Sequence, residues 1–160
     1  MKTNTANWQK DNLENLLTVI IDHRGLTPKK LRGDWSLSGI PALSAKNIKT
    51  GRIINEQGIR YVNQQLYDRW MPEKLEEGDI LLTSEAPLGE VYFLKEKKDY
   101  VLSQRLFGLR SDKKKLNPSY LYYYLQGSLG RQELLRRLSG TAAEGIRQAE
   151  LRLISVTFPQ

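Results

Sequence analysis

The stretch EEGDILLTSEAPLGEVYFLKEKKDYVLSQRLFGLR, residues 76–110, most constrains the fold. Short apolar runs (ILLT, EVYFL, YVL, RLFGLR) alternate with turns rich in glycine, proline and charge, the pattern of consecutive β-strands. The connections are too short for helical crossovers, which need about a dozen residues. An antiparallel meander follows, strongly twisted and barrel-like.

The flanking segments add helices. Residues 11–22, DNLENLLTVIID, carry apolar side chains at 13, 16, 17, 20 and 21, a spacing that predicts one amphipathic helix. Asp11 and Glu14 suit its capping pair and Gly25 its left-handed end. LTPKKLRGDWSLSG reads as an exposed loop. IPALSAKNIKTGRII reads as two strands joined by a turn at Thr50-Gly51, and NQQLYDRW as a helix capped by Asn63. Near the C-terminus, NPSYLYYYLQG and SLGRQELLRRL read as helices separated by Gly127, followed by a flexible SGTAAEG and a strand, LISVTF. The expected architecture is therefore α+β: a twisted, barrel-like antiparallel sheet with several peripheral helices. With 160 residues and neither a repeat nor a linker, the chain suits a single domain, with residues 1–7 as a flexible tail.

Composition restricts the chemistry. There is no cysteine, and His23 is the only histidine. Thiolate zinc sites, Cys–His pairs and Ser-His-Asp triads lack their components, and no metal or cofactor site is expected. The first dozen residues have no apolar signal segment, and LLTVII is far shorter than the roughly 20 residues that span a bilayer. These features fit the cytoplasm. A net charge of +7 favours an anionic partner, nucleic acid first.

Two enzymatic readings are weighed against this. Asn117-Pro118-Ser119-Tyr120 lies one residue from the N-P-P-Y signature of adenine-N6 DNA methyltransferases, but Asn before Pro is also an ordinary helix start. The chain lacks both the glycine-rich turn and the alternating parallel architecture that would hold S-adenosylmethionine. Asp79 with Glu96-Lys97-Lys98 can be stretched into a D…E-x-K arrangement, the basis of an alternative reading as a metal-dependent DNA endonuclease. KEKKD between two strands is equally a solvated hairpin turn.

Basic residues gather in loops: Lys29, Lys30 and Arg32; Lys46, Lys49 and Arg52; Lys113 to Lys115. The first two groups are interleaved with Thr27, Ser44 and Asn47, which can hydrogen-bond base edges. That mixture of phosphate-positioning charge and base-reading groups suits a DNA reader. The third group equally serves solubility.

Several segments in order resemble one family: WQKDNLENLLTVIIDHRGLTPKK, IPALSAKNIKTGRI, EEGDILLTSEAPLGEV, LSQRLFGLRSDKKKLNPSYLYYYLQG and SGTAAEGIRQAELRLISVTFPQ. The chain is similar, from about Trp8 to Pro159, to the target recognition domain of type I restriction-modification specificity subunits. Its most specific parts are Gly78-Asp79-Ile80-Leu81 with Gly89, the tyrosine-rich helix, and Ser139-Gly140-Thr141 with Ile146. The resemblance implies a non-catalytic reader of double-stranded DNA that docks on methyltransferase subunits and, through the complex, directs the restriction subunit. A protein-binding module is the remaining alternative.

The resemblance also implies where contacts lie: Thr27, Pro28 and Lys29 in the first loop, Ser44, Lys46 and Asn47 in the second, Ser84 and Glu85 after the strand ILLT, and Gly140, Thr141 and Arg147 near the end. Lys30 and Lys49 join them on charge. In the family a long helix follows each recognition domain and contacts the methyltransferases. This sequence ends at Phe158-Pro159-Gln160 without it, so a fragment, a split half-subunit or a truncated product is expected.

Overall fold

A computed structural model describes residues 7–138 and 145–160, and it is a mixed α+β structure. Strand β1 (Trp8–Asn12) pairs antiparallel with β11 (Ser155–Pro159), bringing the two ends of the described chain together. The helix expected over residues 11–22 is replaced by β1, a single turn α1 (Leu13–Leu16) and strand β2 (Leu17–Asp22). Leu13 and Leu16 keep the helical spacing and are buried. Beyond them, Thr18-Val19-Ile20-Ile21 is a β-branched run with an available partner strand, so pairing overrides the period. Gly25 consequently lies in a loop rather than at a helix end.

Strands β3 (Ile40–Leu43), β4 (Ile48–Lys49), β5 (Arg52–Ile53) and β6 (Arg60–Val62) follow. The β4–β5 hairpin turns at Thr50-Gly51 as expected, with Gly51 at φ 83°. Helix α2 (Gln64–Trp70) starts at Asn63, whose side chain accepts from the backbone N–H of Leu66 at 2.9 Å.

The stretch that constrained the fold forms β7 (Ile80–Thr83), β8 (Val91–Phe93), β9 (Val101–Leu102) and β10 (Leu106–Ser111). They are not one meander. β10 inserts between β2 and β7, giving the order β2-β10-β7-β8, while β9 leaves to pair in parallel with β3 in a three-stranded sheet, β6-β3-β9. The described strands thus fall into four sheets. The four-stranded sheet is apolar on both faces. Ile80, Leu82, Phe107 and Leu109 point into one core with helix residues Leu121, Leu125 and Leu134. Leu81 and Leu106 point into a second core with Leu43, Leu66, Trp70 and Leu102. The period-2 alternation of a strand accounts for a sheet shared by two cores and for the unbroken apolar run ILLT.

Helices α3 (Pro118–Gln126) and α4 (Ser128–Arg136) flank Gly127 as expected. Asn117 caps α3, its side-chain oxygen accepting from the N–H groups of Ser119 at 2.8 Å and Tyr120 at 3.4 Å. Tyr120 and Tyr124 donate their hydroxyls to the carbonyls of Thr157 and Ser155. The N-P-S-Y tetrapeptide is thus a helix start whose tyrosine secures the last strand. Asn117→Ala is expected to cost about 1 kcal/mol in urea denaturation, an ordinary N-cap loss. A short helix α5 (Gln148–Arg152) precedes β11 where no helix was expected. The SGTAAEG segment lies, except for Gly145, outside the described residues.

Candidate nucleic-acid interface

The first two basic loops converge on a cleft of about 520 Å³. Thr27, Pro28 and Lys29 line it from the loop after β2, where residues 29–31 make a 3-10 turn that ends at Arg32 in a left-handed conformation. Ser44, Lys46 and Asn47 line it from the 3-10 turn between β3 and β4. The sequence reading missed the remaining wall: Asp34, Trp35, Asn55, Arg60, Trp70, and Ser103 with Gln104 from the β9–β10 connection. The Arg60 guanidinium lies 4.1 Å from the centroid of the Trp35 ring, a cation–π contact, and the Trp35 and Trp70 rings are 6.1 Å apart. Among the described residues, buried Trp70 has no partner for its indole N–H. Lys29, Lys46 and Arg60 give the lining three cations against one carboxylate, Asp34. Arg60 carried no such signal: it is exposed although buried Val62, two residues on, shares its face of β6, so strand alternation alone does not announce it. Gln104 enters only because β9 joins β3.

Hydrogen bonds weld the connections. Ala45 N–H donates to the Gln104 carbonyl at 3.1 Å, and both the N–H and hydroxyl of Ser103 donate to the Leu43 carbonyl at 2.8 Å. Asn47, expected to read bases, is engaged within the loop. It is 6 % exposed; its Oδ1 accepts from Ser44 N–H at 3.0 Å, and its Nδ2 donates to the carbonyls of Ile54 at 3.1 Å and Asn55 at 3.4 Å. Its amide is consumed in shaping the loop. Lys46 stands exposed beside it.

Ser84 and Glu85 lie in a second cluster. Ser84, expected at the DNA, is fully buried; its N–H donates to the Arg105 carbonyl and its own carbonyl accepts from Ile146 N–H. Glu85 pairs with Arg105 at 3.8 Å. Gly145, at φ 69°, packs so closely here that a Cβ would lie 2.7 Å from the Ser84 carbonyl oxygen, which brings exposed Arg147 beside this loop. Arg24 braces the join, donating to the Ile146 carbonyl at 3.0 Å while paired with Asp22 at 2.7 Å. Gly140 and Thr141 lie outside the described residues. Lys30 and Lys49 do not line the cleft: the Lys30 ammonium donates to the Gly25 carbonyl, and Lys49 lies 3.7 Å from Glu90. His23 is half-buried, and burial pushes its pKa down.

The carboxylates of the nuclease reading are not brought together as a metal site. Asp79 is 1 % exposed and bound by Arg110, whose Nε and Nη2 each donate to it at 2.9 Å. Glu96 is exposed in the turn before β9. Among the described residues no group of three or more His, Cys, Asp or Glu side chains is placed to hold a metal, and no helix is long and apolar enough to cross a membrane.

The sequence matches the family model of the type I restriction modification DNA specificity domain over residues 5–160. The chain belongs to this family. The architecture of this specificity domain is also found in three solved structures. The S subunit of the type I restriction-modification system of M. genitalium superposes with a TM-score of 0.61 at 17% identity, over 99% of this chain and 36% of that one. A chain from a structural account of assembly and conformational transition in the type I R-M system gives 0.64 at 18%, over 95% and 34%. The HsdS subunit of Thermoanaerobacter tengcongensis gives 0.61 at 11%, over 95% and 38%. The specificity domain thus spans about a third of the length of these chains. No curated protein sequence matches it.

Proposed function

We propose that this specificity domain reads a short sequence in double-stranded DNA and directs the methyltransferase subunits, and through them the restriction subunit, of a type I complex to that site. The observation that carries the reading is the cleft, in which Lys29, Lys46 and Arg60 stand among the hydrogen-bonding groups of Thr27, Ser44 and Gln104. Phosphate contacts fix register on any duplex, and contacts to base edges discriminate among duplexes. The second cluster, with Glu85 and Arg147, is tied to the cleft through Arg105, the residue after Gln104, and on the family resemblance Gly140 and Thr141 join its DNA contacts. The sheets serve as a barrel-like frame for these loops. The domain contributes specificity and no chemistry, so methyl transfer and cleavage belong to its partner subunits in the cytoplasm, where restriction acts on incoming DNA.

Selection of bound duplexes from a random pool, at two salt concentrations, tests the reading. A consensus that survives the higher salt supports it; purely salt-driven binding without a consensus refutes it. Lys29→Ala and Lys46→Ala are each expected to weaken binding to matched and scrambled duplexes alike, and to reduce the slope of log affinity against log salt by about one, the mark of one lost phosphate contact.

A further inference from the structure

Leu37 has a relative exposure of 101%, so its side chain touches essentially nothing in the protein. It stands at the tip of residues 34–39, and this tip is firmly held. Trp35, two residues before it, carries the Arg60 guanidinium on its ring. Ser36 is fastened to the neighbouring strand, its N–H donating to the Tyr61 carbonyl at 2.8 Å and its hydroxyl to the same oxygen at 3.3 Å. Gly39 returns the chain to β3 at φ 128°, where a Cβ would lie 2.3 Å from the Val62 carbonyl oxygen. Among the described residues the other exposed large apolar side chains, Trp8, Tyr123, Leu129, Leu135 and Leu153, lie on β1, α3 and α4 and just after α5, and none lines the cleft. Leu37 is not in the lining either, but among the described residues it alone of these stands two residues from a cleft wall, Trp35, with exposed Lys29, Lys30 and Arg32 preceding it in the same connection and Arg60 beside Trp35.

An isolated apolar side chain on a surface needs no explanation. One held rigidly at the tip of a cationic loop, beside a cleft read as a DNA site, has the form of a wedge. We propose that Leu37 inserts between adjacent base pairs of the bound duplex, while Lys29, Arg32 and Arg60 engage the phosphates on either side. Insertion removes the leucine from water and replaces the lost base–base contact, offsetting the cost of unstacking, and it favours targets with an easily unstacked step at that position. The cationic surround selects a polyanion rather than an apolar protein surface as occupant. The inference rests on the proposed DNA-reading function.

The test uses the full chain and a duplex selected by it from a random pool, with 2-aminopurine placed at successive positions. One position is expected to brighten several-fold on binding, reporting an unstacked step. Leu37→Ala should lose that signal and bind about tenfold more weakly, with an unchanged melting temperature because Leu37 makes no contacts within the fold. Leu37→Met should restore both. Equal affinity and equal signal for Leu37→Ala and the wild type overturn the proposal. So does weaker binding with no unstacked position in either protein, or an effect of Leu37→Ala on self-association alone. Failure of the wild type to bind any duplex removes the functional reading itself, and the wedge with it.

Discussion

Arg110→Ala is expected to lower the stability of the domain by about 3–5 kcal/mol, the cost of leaving a buried charge without its partner. Asp79 sits at the base of β7, 1 % exposed, and Arg110 reaches it from β10 with two hydrogen bonds of 2.9 Å. The same guanidinium donates to the Lys74 carbonyl at 2.7 Å and meets Glu73 and Glu76, and its bond to Asp79 raises its already high pKa further. Removing it leaves a buried carboxylate whose remaining hydrogen bond from the protein is the Glu76 N–H at 2.8 Å. Urea denaturation of the single variant should show a much lower midpoint. The double variant Arg110→Met/Asp79→Leu should recover part of the loss, since it no longer buries an unpaired charge. A cost under about 1 kcal/mol for Arg110→Ala would mean that Asp79 does not depend on the pair, and would reopen its use as a ligand.

Asn47→Ala is expected to cost about 2 kcal/mol, because it leaves the Ile54 carbonyl and the Ser44 N–H, both on half-buried residues, short of partners, at roughly 1–3 kcal/mol for each such group, while the carbonyl of exposed Asn55 can turn to water. Its effect on DNA follows from that role. With the loop that presents Lys46 no longer held to Ile54 and Asn55, affinity should fall for matched and scrambled duplexes together, and preference at individual base pairs should stay unchanged. Titrations against both kinds of duplex, read beside the melting temperature, decide the matter. A relaxed preference at one base pair with unaltered stability would return Asn47 to the base-reading role that the sequence suggested.

The elements legible in the sequence are those whose deciding interactions are local. Asn63 and Asn117 announce helix starts because a cap is completed within three residues. The β4–β5 hairpin follows from Thr50-Gly51, since the turn needs a residue at positive φ. The short strands of residues 80–111 follow from their punctuation, and the positions of Lys29 and Lys46 on the cleft follow from basic loops with hydrogen-bonding neighbours. Family membership was also legible, because it rests on the order of motifs along the chain.

Tertiary structure decided whatever depends on a distant partner. The period over residues 11–22 was helical, but β10 was there to pair with β2, and a β-branched run gains more from that edge than from continuing a helix. β9 read as a meander strand and pairs in parallel with β3 instead, a choice between two edges that its own two residues do not encode. That pairing brings Gln104 to the cleft. Asn47 and Ser84 looked available because their residue types bond bases well, yet burial depends on how β3, β5 and residues 145–146 pack around them. Residue type and local spacing determined which side chains could do the chemistry of recognition; long-range pairing, which no local window contains, determined which of them face the same space.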